Sequence, residues 1–304
     1  MTEIANLTAV VITKNEEKNL PRCLKSLRFA DKILLVDDNS TDGTVKIAEK
    51  SGARILRRTL DDFATQRNFA LKQVASNWVL MVDADEEVSS ALAKEIKEAI
   101  RETDLDGFQI PRKNLIFGRW VKHSGWYPDY QLHLFKTHQA RYQEKVHEQV
   151  QVKGQVGFLK NPLIHHNYET VSHFLSPLKF DLYTSLEANQ LQEAGYRFVL
   201  SDLIKKPIDE FLRRFFAEKG FQDGVLGLIL ALFQAFKEMV IYAKIWEKEK
   251  ASEMETASLL TALDQEIKDK IKEIRFWFLS GRIEAEKNIF KKTWLQLTKK
   301  IHRH

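Results

Sequence analysis

The sequence predicts an α/β fold, a mostly parallel sheet flanked by helices, followed by a helical C-terminal extension. Apolar runs at residues 7–12, 33–36 and 78–82 are separated by segments of helical spacing. That βαβ alternation belongs to strands buried on both faces by crossover helices. With 44% hydrophobic and 29% charged residues the chain is a folded one, and only 12 glycines and 6 prolines exclude collagen-like and low-complexity classes. No proline follows Pro207 and only Gly281 follows Gly227, so the last hundred or so residues read as helix.

Taken in order, residues 7–12 give the first strand, and Leu20, Leu24 and Leu27 space the first helix. Residues 33–36 form the next strand, Val45, Ile47 and Ala48 begin a second helix, and Phe69, Ala70 and Val74 line a third. After the strand at 78–82, Ser89 is a fitting N-cap for the amphipathic run through Ile96 and Ile100. From about residue 107 to 168 the pattern breaks into short strands and loops that hold His123, His133, His138, His147, His165 and His166. The expected organisation is one domain over 1–205, in halves 1–105 and 106–205, and an apolar and basic helical extension over 206–304.

The net charge of +5 is a mild excess whose placement matters more than its size. Cys23, the single cysteine, has no internal partner, which suits a reducing compartment. The opening residues lack a basic segment followed by an apolar one, so they read as mature cytoplasmic sequence. The longest uncharged apolar approach to a membrane span, residues 224–236, stops at Lys237 and Glu238 and is expected to be too short to cross.

Two acidic clusters stand where strands end. The run at 33–36 leads directly into Asp37, Asp38, Asn39, Ser40, Thr41, Asp42 and Gly43, and the run at 78–82 leads into Asp83, Ala84, Asp85, Glu86 and Glu87. In an open α/β sheet ligands bind outside the carboxyl ends of strands, so these carboxylates are expected in a crevice. Either cluster alone also fits a capped strand-to-helix turn. Together they suit a nucleotide diphosphate: carboxylates accept N–H and O–H donors of a base or ribose, and a D-x-D offers oxygen ligands to a hard divalent cation. No glycine precedes Gly43, so there is no G-x-G-x-x-G after the first strand, and no phosphate-binding G-x-x-x-x-G-K loop occurs anywhere. Dinucleotide dehydrogenases and P-loop NTPases are thereby disfavoured.

Four ordered motifs carry a resemblance: Val10, Val11, Ile12, Thr13, Lys14, Asn15, Glu16, Glu17; then Val36 through Asp37, Asp38 and Ser40 to Thr44; then Gln66, Arg67, Asn68; then Asp83, Ala84, Asp85. In these the chain resembles the nucleotide-sugar-binding half of family 2 glycosyltransferases, which have the GT-A fold. The resemblance implies that Thr13, Glu16, Asp37 and Asp38 surround the uracil and ribose of a UDP-sugar. It places Arg67 near the diphosphate, and Asp85 with Asp83 at Mg²⁺ or Mn²⁺.

Downstream, Trp126 to Asp129 with Tyr130, Leu132, His133, Leu134 and Phe135, then Val146, His147, Glu148, then His165, His166, Asn167 and Tyr168 resemble the subgroup of lipopolysaccharide-core β-glucosyltransferases. Its usual arginine before the Leu-Phe pair is His133 here. An inverting transfer needs a carboxylate that takes the acceptor hydroxyl's proton. Asp129 and Glu148 are the two candidates, and Glu148 is favoured because it follows the basic, aromatic Arg141 and Tyr142 and neighbours His147. His147, His165 or His166 is a candidate to close the metal or diphosphate site.

The apolar segment from Phe211 through Trp246 reads either as a buried helix or, preferred here, as a helix in the membrane interface with Arg213, Arg214, Lys219, Lys237 and Lys244 at headgroup level. Residues 287–304 contain Lys287, Lys291, Lys292, Lys299, Lys300 and Arg303 and no acid, which suits an anionic lipid surface. No nucleic-acid-binding module is recognisable. The expectation is a metal-dependent inverting hexosyltransferase, cytoplasmic and peripheral on the inner face of the cytoplasmic membrane. It would move a hexose, glucose above others, from a UDP-sugar to a lipid-linked saccharide of the lipopolysaccharide core. A nucleotidyltransferase and a non-catalytic membrane-associated scaffold are the alternatives. The first would want a glycine-rich basic loop where Thr13 to Glu17 stand, and the second has no need of both acidic clusters.

Overall fold

Strand β1 (Leu7–Thr13) is apolar along its length because both of its faces are covered. Ala9 and Val11 point into one core with Leu20, Leu24, Leu27, Leu92 and Ile96, while Val10 points into another with Ala70, Leu71, Phe135 and Tyr142. Helices α1 (Leu20–Ser26), α2 (Thr44–Ser51) and α4 (Ser90–Ala99) thus cover one face and α3 (Phe63–Leu71) the other. Ser89 caps α4 as expected, its hydroxyl accepting from Leu92 N–H at 3.1 Å.

The computed structural model describes residues 6–101, 103–143, 149–249 and 255–301. β1 pairs in parallel with β2 (Lys32–Asp37) on one side and β4 (Trp78–Asp83) on the other. β3 (Arg54–Arg57) extends the sheet in parallel beyond β2. β8 (Asp129–Lys136) runs antiparallel between β4 and β6 (Gly107–Ile116), and β12 (Leu163–Tyr168) and β5 (Glu86–Val88) close the order β3-β2-β1-β4-β8-β6-β12-β5. β7 (Arg119–Trp120) and β11 (Val156–Phe158) add to β6, and β9 (Ala140–Gln143) pairs with β10 (Gln149–Val152) as a separate ribbon. The chain leaves β1 in one direction for β2 and β3 and returns on the other side for β4. The switch point, where an open α/β sheet forms its ligand crevice, therefore lies at the carboxyl ends of β1 and β4.

Two units form, and the division expected near residue 205 falls instead at Glu169, with Val121–Gly125 joining the second unit. The reason is packing within that unit. α6 (Pro177–Glu193) lies along α8 (Gly224–Glu249), with Phe180 stacked on Phe236 and Ala188 buried with Ile241 and Ile245. α5 (Val171–Phe174), α7 (Asp202–Leu212), α9 (Thr256–Ala285) and α10 (Ile289–Ile301) complete this helical unit.

α8 differs from its expectation in two ways. The helix does not stop at Lys237 and Glu238, and Gly220–Glu249 is long and apolar enough, by length and composition, to cross a membrane. Its basic residues are also not left to solvent: Lys237 pairs with Glu187 at 2.6 Å and Lys244 with Asp181 at 2.7 Å, both on α6. Arg213 and Arg214 pair with Glu210, and Lys219 with Glu284 at 3.1 Å. All five cations expected at headgroup level thus have carboxylate partners within their own unit, contributed by residues from 3 to 65 positions away in sequence.

Candidate active site

The parallel registers set Thr13 beside Asp37 and Ile12 beside Asp83, so the ends of β1, β2 and β4 lie level at the switch point. The loops after β1 and β2 are stitched into one wall. Asn15 Oδ1 accepts from Thr41 N–H at 2.8 Å, Thr44 Oγ1 accepts from Glu16 N–H at 2.8 Å, and Glu17 accepts from Gly43 N–H at 2.7 Å. Asn15 and Asn39 hold φ of 55° and 50°, the left-handed turn conformation that asparagine tolerates better than most residues. A Cβ on Gly43 would stand 2.8 Å from Glu17 Oε2, so a larger residue there would shift the carboxylate that accepts from the Gly43 N–H.

Thr13, Glu16, Asp37 and Asp38 all gather on this wall. Asp37 is fully buried, and its carboxylate accepts from Ser40 N–H at 3.0 Å, Ser40 Oγ at 2.5 Å and Thr13 Oγ1 at 3.4 Å. It braces the turn that carries Asp38. Asp38 accepts from Lys14 Nζ at 2.7 Å and from Leu60 N–H at 3.0 Å. Burial raises its pKa, but these two hydrogen bonds and the lysine charge outweigh it, so the carboxyl is held below its ordinary value.

Asp83 and Asp85 leave β4 in different surroundings. Asp83, expected with Asp85 at a cation, has one oxygen on Arg67 at 2.8 Å and the other 3.4 Å from Arg112. Arg112 also reaches the fully buried Glu86 at 2.7 Å and stands 3.9 Å from Asp129. Arg67, expected near the diphosphate, is thus anchored by Asp83, with its guanidinium 5.5 Å from the Tyr142 ring centroid. Burial opposes the charge on Asp83, but Arg67, Arg112 and His133 prevail and hold it well below the carboxylate range. Burial likewise opposes the charge on Arg112, and Glu86 and Asp83 prevail there to keep it firmly protonated. Cys23, buried beneath, donates toward Asp83 O at 3.6 Å. Burial, with Glu86, Asp85 and Asp83 adding, pushes its thiol far up, so it is an inert packing residue.

Among the described residues Asp85 meets no arginine. Its Oδ2 lies 3.5 Å from His165 Nε2. Asn114 Nδ2 donates to the Trp126 carbonyl at 2.8 Å, an oxygen that can only accept. Asn114 Oδ1 therefore faces His165 Nδ1, at 2.7 Å, and this network assigns the proton to Nδ1. In the neutral ring His165 turns its Nε2 lone pair toward the Asp85 carboxylate, an arrangement open to a cation, and in the charged ring Nε2–H donates to that carboxylate as an ion pair. A carboxylate and an oriented imidazole fit a divalent ion that takes its other ligands from water or phosphate; Asp83, with both oxygens on arginines, does not.

Asp129 begins β8, whose antiparallel register on β4 carries its first residues to the level of the Asp83–Asp85 turn. Its carboxylate accepts from Gln131 at 2.7 Å and is partly exposed. Glu148 and His147 lie outside the described residues. The His166 ring contacts Glu87 at 3.2 Å, while its backbone N–H donates to the Asp85 carbonyl at 2.9 Å. His133, where the resembled subgroup has arginine, binds the Met81 carbonyl through Nδ1 at 2.7 Å and is buried. Arg112, Glu86 and Asn114 are functional neighbours that the sequence did not announce. Among the described residues no group of three or more His, Cys, Asp or Glu gathers closely enough to hold a metal ion unaided.

Removing Arg112 takes away the arginine partner of the buried Glu86 and one of the two arginines on Asp83, which keeps Arg67. Arg112→Met is expected to cost about 3–5 kcal/mol in urea unfolding. Because Asp83 is held below its unfolded pKa, its stabilising share is present above that pKa and lost as pH falls through the lower folded value. In the Met variant this acid-side loss should begin at higher pH; an unchanged acid limb would mean that Arg112 does not govern Asp83.

The chain belongs to glycosyl transferase family 2: the family model, Glycosyl transferase family 2, matches residues 8–165. It is 30% identical over 251 residues to the lipopolysaccharide core biosynthesis glycosyltransferase LpsC of Rhizobium meliloti (strain 1021), a match spanning 80% of this chain and 92% of that protein. It is 27% identical over 266 residues to an uncharacterized glycosyltransferase of Rickettsia conorii, spanning 83% and 94%. Among solved structures it is similar to S. aureus TarS 1-349 in complex with UDP-GlcNAc, at 20% identity and a TM-score of 0.44, covering 81% of this chain and 91% of that one. The enzyme is accordingly a GT-A glycosyltransferase, and the nucleotidyltransferase and scaffold alternatives fall away.

Proposed function

We propose that the enzyme transfers a hexose, glucose above others, with inversion from a UDP-sugar to a lipid-linked saccharide of the lipopolysaccharide core. We infer that it works at the inner face of the cytoplasmic membrane. The observation that carries the donor reading is the Asp85–His165 pair at the switch-point crevice, beside the wall built on Asp37 and Asp38. The acceptor reading draws on the relative whose name states lipopolysaccharide core biosynthesis.

Asp85 and His165 would hold Mg²⁺ or Mn²⁺, which supplies charge neutralisation to the leaving diphosphate. Thr13, Glu16 and the Asp37–Asp38 turn form the wall for base and ribose. Arg67, fixed by Asp83, adds positive charge on the diphosphate side. Asp129 takes the acceptor hydroxyl's proton as that oxygen bonds to the anomeric carbon and the carbon–oxygen bond to UDP breaks. The glycosidic product has inverted configuration, and UDP leaves. Asp129 is taken as the base here on its place at the start of β8, steadied by Gln131 and 3.9 Å from Arg112, while Glu148, first choice on sequence, lies outside the described residues and stays the rival.

Release of UDP from a panel of UDP-sugars, with Mn²⁺ and with chelator, tests this reading. UDP-glucose is expected to be turned over fastest and only with the cation. Equal turnover in chelator would remove the metal from the account, and preference for another sugar would remove glucose.

A further inference from the structure

Helix α10 starts at Ile289 because Asn288 Oδ1 accepts from Phe290 N–H at 3.0 Å and Lys291 N–H at 3.2 Å, an N-cap. Its two sides are the reverse of what a surface helix shows. Leu295 is 4% exposed, whereas Ile289, Phe290 and Trp294 are 72%, 84% and 64% exposed. At 3.6 residues per turn these three large side chains span an arc of about 140°, and Leu295 lies about 170° from its centre. Leu295 packs against the helix's own unit, and the side chains of Ile289, Phe290 and Trp294 are largely exposed.

Elsewhere in the same unit the aromatic residues pack on one another: Phe215 on Phe216 with centroids at 5.0 Å, and Phe216 on Phe278 at 4.9 Å. Phe290 and Trp294 are nonetheless more exposed than Phe278, Trp246 and Phe236, at 48%, 46% and 45%. Charge sets α10 apart as well. Arg213, Arg214, Lys219, Lys237 and Lys244 all have carboxylate partners, whereas residues 287–304 bring six lysines and arginines and no acid.

We propose that α10 is the element that meets the membrane, lying in the plane of an anionic lipid surface with Ile289, Phe290 and Trp294 among the acyl chains and its lysines at headgroup level. The inference rests on the membrane partner proposed above and narrows the contact to α10, whose basic run suits an anionic surface, rather than sharing it with α8. An apolar arc on a helix whose charged residues are all cations complements a surface that is apolar beneath and anionic above. Unbalanced positive charge on the same helix would repel a second copy of it, which disfavours self-association through this face.

The test uses the full chain and co-sedimentation with vesicles of phosphatidylglycerol and phosphatidylcholine, compared with phosphatidylcholine alone. Circular dichroism and UDP affinity serve as folding controls. Binding to the anionic vesicles is expected, weakening at high salt. Phe290→Ser with Trp294→Ser should lower the partition coefficient at least about tenfold, since two large side chains leave the interface. Lys291→Glu with Lys292→Glu should weaken binding and flatten its salt dependence. Trp246→Ser, on the exposed side of α8, should bind as the parent does.

If the serine pair binds normally and Trp246→Ser does not, α10 is not the contact, though the membrane reading survives through α8. If the parent binds neither vesicle, the inference fails while UDP release still tests the donor chemistry separately. If the serine pair instead turns a dimer into a monomer at unchanged vesicle binding, the arc covers a second copy and the inference is overturned.

Discussion

Asp85→Ala is expected to abolish transfer with the fold intact. The carboxylate is partly exposed and makes no arginine pair, and the backbone carbonyl of the same residue, which accepts from His166 N–H at 2.9 Å, survives the substitution. On the proposed reading, what goes is an oxygen ligand of the cation beside His165, and with it the charge that would offset the leaving diphosphate. Turnover should fall to background, while the thermal midpoint and far-ultraviolet dichroism hold. Parent-level turnover by the variant would remove Asp85 from the mechanism. Asp83→Ala should behave differently, lowering stability as well as activity, because it frees Arg67 and Arg112 from a shared carboxylate.

Asp129→Asn should lower kcat by roughly 10²–10⁴ and leave the donor KM nearly unchanged, because a general base acts only as the transition state forms. The amide keeps the size of the side chain and an oxygen for Gln131, so structural loss is small. Glu148→Gln, measured beside it at saturating donor, is expected to raise the acceptor KM more than it lowers kcat. The opposite pattern, with kcat lost in Glu148→Gln and kept in Asp129→Asn, exchanges the two roles.

Much of this site was legible because its first members are local. Asp37, Asp38, Asp83 and Asp85 each follow an apolar run directly, so naming the strands also named the residues at their ends. Ser89 at α4 and the spacing of Leu20 and Leu24 were readable for the same reason. Arg112, Glu86 and Asn114 were not, because their meaning is set by pairings remote in sequence. The register of β6 on β8 sets Arg112 opposite Asp129, and that of β12 on β6 sets His165 opposite Asn114. No spacing along the chain encodes those neighbours. β3 was also missed: Arg54 and Arg57 flank only Ile55 and Leu56, too short an apolar run to stand out from a loop, and the parallel edge of β2 makes it a strand.

The helical part was misread where composition stood in for pairing. Lysines and arginines near an apolar stretch resemble a headgroup-level pattern until their partners are known, and Asp181, Glu187, Glu210 and Glu284 supply those partners. The same lack of tertiary information placed the boundary at 205, although α6 belongs with α8 through Phe180 and Ala188.

Glycosyl transfer from a UDP-sugar to a lipid-borne saccharide would be seen as movement of a radiolabel from water into lipid. UDP-glucose labelled in the sugar is incubated with the enzyme, Mn²⁺ and lipopolysaccharide-core lipid acceptor in anionic vesicles, and the lipid fraction is extracted. The account predicts label in the lipid fraction, β-linked and released as glucose by a β-glucosidase, and none with Asp85→Ala. Label that stays wholly in the aqueous phase with every UDP-sugar, or enters lipid equally with Asp85→Ala, would contradict it.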